Sequence, residues 1–450
     1  MSSPAGSAAV PFADRQSSSA RQSLLFLLSA SSFRMGLALL TFEQVRPLFS
    51  LQVSDYCFFL SLVLLVFVPR SLSLVLRGSG VLFGGLLILC GSLLSLIHAT
   101  SLANSLGPLA RLFVLFGLFG PLALIHSQNV RKNIHFLLGG IFVNCVITLL
   151  QASIFPGIAD LLSINAVRPD IGDIGRFQGL TSHPNIIGLS AALAVFIAIA
   201  LLASDANRHI RGRLAIIAFV CSLAALLSGS RTVFVSLIPA LLVFSVFQKQ
   251  RRRAIQRVLF SLVVFWGAVT YVAPAVISQF TERFDSTGSD VYSDYGRLWS
   301  SVYAVMEISQ KPVIGWGVDH LDDAGLTVIP VTGEVVGAHN TFIKYWHGAG
   351  LLGAIGFLLL FLVPGRRILK LLRKKAPDRS TDTLSLALGV CSLLFIVSNL
   401  GPFDYNRFLY IPLFVFAGFA ARLKIPLQAR PLARYRKGGE IAGPADPVPA

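Results

Sequence analysis

Charge is what this sequence has least of. Only 13% of its 450 residues are Asp, Glu, Lys or Arg, where soluble globular proteins carry about 25%. Hydrophobic residues make up 54% and the mean hydropathy is +0.72, which excludes an ordinary soluble domain. Acidic residues are scarcer than basic ones, 21 against 38, and few carboxylates fall within the apolar runs, Asp55 being the main one. Ion-coupled carriers usually need carboxylates there, so their shortage argues against such a carrier. No Asp-x-Asp pair of the kind that holds a metal in nucleotide-sugar enzymes occurs. Asp322-Asp323 reads as a solvated loop, and His339 and His347 lack zinc-motif spacing. No metal or other cofactor is expected. Cys57, Cys90, Cys145, Cys221 and Cys391 form no close pair and read as small buried hydrophobes. No internal repeat is evident, which speaks against transporters built from repeated halves.

What is present is one apolar run after another. Segments long enough to cross a bilayer, about 20 residues each, fall at 24–42, 51–69, 80–98, 106–126, 134–154, 185–203, 213–228, 232–248, 257–277, 341–364, 383–400 and 407–422. The expected fold is therefore all-α and polytopic, with about 12 transmembrane helices. The polar stretch 1–22 lacks a short apolar core with a cleavage site after it, so the first span is expected to be retained. The expected layout is a polar amino terminus (1–22), spans one to nine (23–277), a large outward loop (278–340), spans ten to twelve (341–422) and a basic disordered tail (423–450).

The basic residues set the sidedness. Arg131 and Lys132, then Arg208, Arg211 and Arg213, then Arg251, Arg252, Arg253 and Arg257 fall in alternate loops. Arg366, Arg367, Lys370, Arg373, Lys374 and Lys375 continue the pattern, as does the tail from Arg422. With both termini cytoplasmic, every dense cluster lands inside. The net charge of +17 is thus explained by orientation and anionic lipid headgroups rather than by nucleic acid.

The polar break at 278–340 is the longest in the chain. Val291, Tyr295, Leu298, Val302 and Met306 recur there at helical spacing, predicting an amphipathic helix on the membrane surface or against the bundle. That helix carries Arg297, and Lys311-Pro312-Val313-Ile314-Gly315-Trp316-Gly317 then turns the chain.

Four polar sites face outward on this topology. In Arg176-Phe177-Gln178-Gly179-Leu180-Thr181-Ser182-His183-Pro184-Asn185, Pro184 suits the first turn of a helix, and a helix amino terminus beside an Arg favours an anion; an ordinary capped helix with a solvated Arg is the alternative. Ser228-Gly229-Ser230-Arg231 is a hairpin whose Arg holds either a ligand or a lipid headgroup. Arg297 is either an anion ligand or a surface cation. His339-Asn340-Thr341 begins another helix, and His339 is either a cap or a proton carrier. Three Arg and one His on one side suit a diphosphate, which guanidinium forks grip well.

These residues, in this order, resemble the O-antigen ligase and polysaccharide polymerase superfamily of bacterial membrane glycosyltransferases. The resemblance covers about residues 170–365: Arg176-x-x-Gly179 with His183-Pro184-Asn185, Ser230-Arg231, Arg297-x-Trp299, Pro312-x-x-Gly315-x-Gly317, and His339-Asn340 followed by Gly348-x-Gly350 and Gly353. It implies about a dozen spans with a large outer loop, and a donor glycan on polyprenyl (undecaprenyl) diphosphate, without metal or nucleotide sugar. It implies that Arg176, Arg231 and Arg297 hold the diphosphate and that His339 serves the acceptor hydroxyl. His183, Asn185 and Asn340 would support them, and Arg168 and Lys344 are further candidates for the anion. The acceptor would be a glycan or glycolipid at the outer side of the cytoplasmic membrane, in cell-envelope or exopolysaccharide biosynthesis. Ligase and polymerase share these motifs, so both acceptors stay open.

Residues 1–165 show no motif that can be matched. A lipid-linked glycan transporter or flippase, a non-catalytic scaffold, and a peptidoglycan glycan-strand polymerase are the rivals. The last would want a carboxylate in the outer loop, with Asp285, Asp290, Asp294 or Glu334 available.

Overall fold

The computed structural model describes residues 12–47, 51–68, 79–163, 176–248, 289–319, 327–328, 335–336, 338–374, 378–403 and 405–423, with isolated helical positions between 255 and 278. Arg168, Asp285, Glu334, Asp322 and Asp323, most of the ninth expected span and the tail lie outside the described residues, as do the side chains of Asp290 and Asp294.

The described residues are helical almost throughout. In order come α1 (Phe12–Ala38), α2 (Val53–Val66), α3 (Ser79–Leu94), α4 (Leu102–Leu112), α5 (Gly120–His126), α6 (Val130–Ser153), α7 (Ile158–Leu162), α8 (Pro184–Ala203), α9 (Arg211–Leu227) and α10 (Thr232–Val246). Then follow α11 (Ser289–Gln310), α12 (Thr341–Arg373), α13 (Asp378–Asn399) and α14 (Arg407–Arg422). A wider turn, Phe113–Phe119, joins α4 to α5. Among the described residues there is also a pair of two-residue antiparallel strands, β1 (Thr327–Val328) and β2 (Val335–Val336), with Thr327 opposite Val336.

Five helical stretches have the length and apolar composition to cross a membrane: Gly80–His98, Leu102–Ser153, Pro184–Ala203, Thr341–Arg373 and Thr381–Asn399. The chain is thus a multi-pass membrane protein. In lipid the helices gain little from apolar burial alone, so close packing through small residues has to hold them. Central α8 follows this rule: Gly188, Ser190, Ala191, Ala192, Ala194 and Ala198 are all buried along it. The α3–α12 contact is closer still. A Cβ on Gly84 would stand 2.7 Å from the carbonyl oxygen of Gly356 and 3.0 Å from the amide of Leu360.

The two ends of the bundle differ in chemistry. At one end the guanidinium groups close helix carboxyl termini, where carbonyls lack intrahelical donors. Arg367 donates to the Ala420 and Ala421 carbonyls of α14 at 2.8 and 2.7 Å. Arg422 donates to Leu124 and Ile125 of α5 at 2.9 and 2.8 Å. Both belong to basic clusters that the sequence analysis expects on the inner side, and in the fold they cap helices. Among the cysteines, Cys145, Cys221 and Cys391 are buried as expected, whereas Cys57 and Cys90 are only half-buried; all five are free thiols.

Candidate functional site

The opposite end gathers helix amino termini. α8 begins as its sequence predicts: Pro184 takes the first helical turn, where its missing N–H costs nothing, and His183 is the cap. Its Nδ1 accepts from the Asn185 amide at 3.0 Å. The preceding segment is bound on both sides. Arg176 Nε donates to the Ser228 carbonyl at 2.9 Å, and its Nη2 donates to Asn185 Oδ1. The Phe177 amide donates to Leu227 O at 3.3 Å. One guanidinium therefore joins the start of α8 to the Ser228-Gly229-Ser230-Arg231 hairpin, where Arg231 directly precedes α10. Gly188 lets the two meet, since a Cβ there would lie 2.9 Å from Ser230 Cβ. The Ser230 hydroxyl is 2% exposed and has no hydrogen-bond partner among the described residues.

The start of α12 joins the same end. Asn340, not His339, is its cap, accepting from the Ile343 amide at 3.1 Å; His339 precedes it, half-buried. Thr341 Oγ1 donates to Gly401 O and accepts from the Phe403 amide, both at 2.8 Å, which sets the beginning of α12 beside that of α14. At the start of α14, Arg407 Nε lies 2.7 Å from the fully buried Asp55 of α2. Lys344, a further anion candidate, is buried on the first turns of α12.

Arg297 arrives on α11, half-buried. The helix expected over 291–306 exists and is longer, Ser289–Gln310. Its Leu298, Val302 and Met306 are exposed, while Ser300, Ala304 and Ile308 are buried. These three apolar side chains thus face away from the bundle, and the Ser300, Ala304 and Ile308 face is the covered one. The seating is polar: His347 Nε2 lies 2.7 Å from Glu307 Oε2, and the Trp316 indole N–H donates to the Glu307 carbonyl at 2.9 Å while its ring stacks on His347. The Glu307 charge also faces Tyr303 and, with a hydrogen bond to it, raises that phenol above its usual range.

The two glycine motifs, far apart in sequence, are halves of one structure. α12 breaks at Gly350, whose φ is 66° and ψ −160°, a conformation costly for any residue with a Cβ. The break exposes backbone groups that residues 313–316 satisfy: Leu351 N donates to Val313 O at 3.0 Å and Trp316 N to His347 O at 2.8 Å. Gly315, at φ 84°, fits because a Cβ would stand 2.6 Å from the Gly350 amide and 2.7 Å from His347 O. On its other side the turn is held by His98, whose Nδ1 is 2.7 Å from Gly315 O, and by Asp319, which accepts from the Thr100 amide and hydroxyl at 2.8 and 2.7 Å.

Sequence reasoning missed Glu43, Asp55, Glu307 and Asp319 as parts of this end. They are lone carboxylates with no spacing to mark them, and only tertiary contact gives them partners. Among the described residues, no group of three His, Cys, Asp or Glu is placed to hold a metal.

No curated protein matches the chain. Residues 214–358 match the family described as O-Antigen ligase. That segment of this multi-pass membrane protein carries Arg231, Arg297, the Gly315 turn, His339 and the Gly350 break, and it is over these residues that the chain is similar to the O-antigen ligase family.

Proposed function

We propose that the chain transfers or polymerises an oligosaccharide from a polyprenyl-diphosphate carrier onto the hydroxyl of an acceptor glycan or glycolipid. The reaction takes place at the outer side of the cytoplasmic membrane, with both termini inside and the basic clusters of the alternate loops in support. The observation that carries this reading is the Arg176 guanidinium held between the start of α8 and the hairpin before α10. It stands beside the first turn of α8, and a helix amino terminus favours an anion.

Arg176, Arg231 and Arg297 grip the diphosphate, with His183 and Asn185 shaping the first turn of α8 around it. The diphosphate is a good leaving group once its charge is neutralised, so positioning and electrostatic stabilisation supply most of the acceleration. The acceptor oxygen attacks the anomeric carbon, the carbon–oxygen bond to the diphosphate breaks, and the carrier departs with its charge held by the guanidinium groups. His339, oriented by the Asn340 cap behind it, takes the acceptor proton. No metal is required in this scheme, and a single displacement inverts the anomeric centre. A lipid-linked glycan flippase would use the same outward Arg residues but leave His339 without a task.

The test is purified protein in liposomes with a polyprenyl-diphosphate oligosaccharide and chelator present. Glycan transfer with an inverted linkage by NMR supports the scheme. Lipid translocation without transfer, or a retained linkage, contradicts it.

A further inference from the structure

Resting on the diphosphate reading above, we propose that Glu43, in the amino-terminal part of the chain outside the matched family segment, is a positioning residue of the donor site. Its carboxylate is 5% exposed and accepts on both oxygens. Oε2 takes the amide and hydroxyl of Ser182 at 3.0 and 2.6 Å. Oε1 takes the side-chain amide of Asn406 at 3.3 Å. Ser182 directly precedes His183, the cap of α8, and Asn406 is the cap of α14, whose next residue, Arg407, pairs with Asp55. One buried charge therefore sets the approach to α8 against α14.

The rest of the segment is tied down by neutral groups. The Gln44 amide donates to Leu180 O at 2.9 Å and its side chain to Thr181 O at 3.2 Å. Asn144 accepts from the Leu180 amide at 2.8 Å and donates to Thr41 O at 2.9 Å. These bonds hold the backbone of 180–181. Thr181 Oγ1 also donates to the His183 carbonyl at 3.0 Å. Among the described residues, the Glu43 bonds are the ones that join Ser182, the residue adjoining the cap, to another helix start. A displaced Ser182 moves the cap and with it Asn185, the partner of Arg176, so the effect of losing Glu43 falls on donor binding. His339 lies just before α12, away from Ser182 in the chain, so the chemical step changes less.

The pattern of donors gives a swap that separates positioning from charge. Glu43→Gln keeps one acceptor for Ser182 but turns its NH2 toward the NH2 of Asn406. Asn406→Asp supplies an acceptor there and still serves as a helix cap. We expect Glu43→Gln to raise the donor KM about tenfold with kcat changed far less, since a buried donor faces a donor. Asn406→Asp alone sets two carboxylates together and is impaired as well, whereas the double variant returns to within about threefold of wild type because the pair couples directly. A wild-type donor KM in Glu43→Gln overturns the inference, and so does a double variant no better than the poorer single one. Arg176→Ala measured in parallel separates the two levels. If it keeps the wild-type donor KM, the diphosphate reading falls and this inference with it; if it loses donor binding while Glu43→Gln does not, only the role of Glu43 falls.

Discussion

His347 Nε2 and Glu307 Oε2 lie 2.7 Å apart, the imidazole 2% and the carboxylate 22% exposed. This pair fastens α11, which carries Arg297, to α12, which begins beside His339. A residue read from sequence only as a histidine without metal spacing is thus the seat of the loop helix. Glu307→Ala strips a buried imidazole of its partner and should cost about 1–3 kcal/mol locally. The expected result is faster amide hydrogen exchange across 289–310, with exchange in α8 unchanged. Equal exchange in wild type and variant would show that the pair does not hold the helix.

The break in α12 makes a second prediction. Gly350→Ala places a methyl group against the Val313 carbonyl in a left-handed conformation, and Gly315→Ala brings one to 2.6 Å from the Gly350 amide. Backbone cannot move aside as a side-chain tip can. Each variant should lose about 2–4 kcal/mol, read as a lower Tm in nanodiscs. A Tm within error of wild type for both would mean that the turn and the break do not depend on each other.

Arg176 holds the Ser228 carbonyl and Asn185 Oδ1 through separate nitrogens of one planar group. An ammonium cannot reproduce that fork. Arg176→Lys should therefore keep the charge yet raise the donor KM about tenfold, and Asn185→Ala should shift it in the same direction. A Lys variant with wild-type donor KM would reduce the role of Arg176 to a point charge.

The apolar runs at 80–98, 185–203, 341–364 and 383–400 were legible as membrane-crossing helices, because lipid demands long apolar runs and a strand cannot hide its backbone there. The start of α8 was legible because Pro184 marks a first turn on its own. The loop helix was legible by period, but not which face meets the bundle: Leu298, Val302 and Met306 look like core and stand exposed, whereas the face of Ser300, Ala304 and Ile308 is covered. The glycines of 312–317 and 348–353 were visible as separate motifs, but that Gly315 lies on Gly350 depends on a contact between chain segments some 35 positions apart. Glu43 gave no signal at all. A single carboxylate in a short loop acquires meaning only when Ser182 and Asn406 fold against it.

The most direct test of the central claim is the rate of glycan transfer from a polyprenyl-diphosphate donor by wild type, His339→Ala and Arg297→Ala in the same liposomes. The account predicts that both variants fold as wild type does. Transfer should fall by about 10²–10⁴-fold in His339→Ala, the span of a lost general base. In Arg297→Ala it should fall chiefly through weaker donor binding. Wild-type rates in a folded His339→Ala would contradict it.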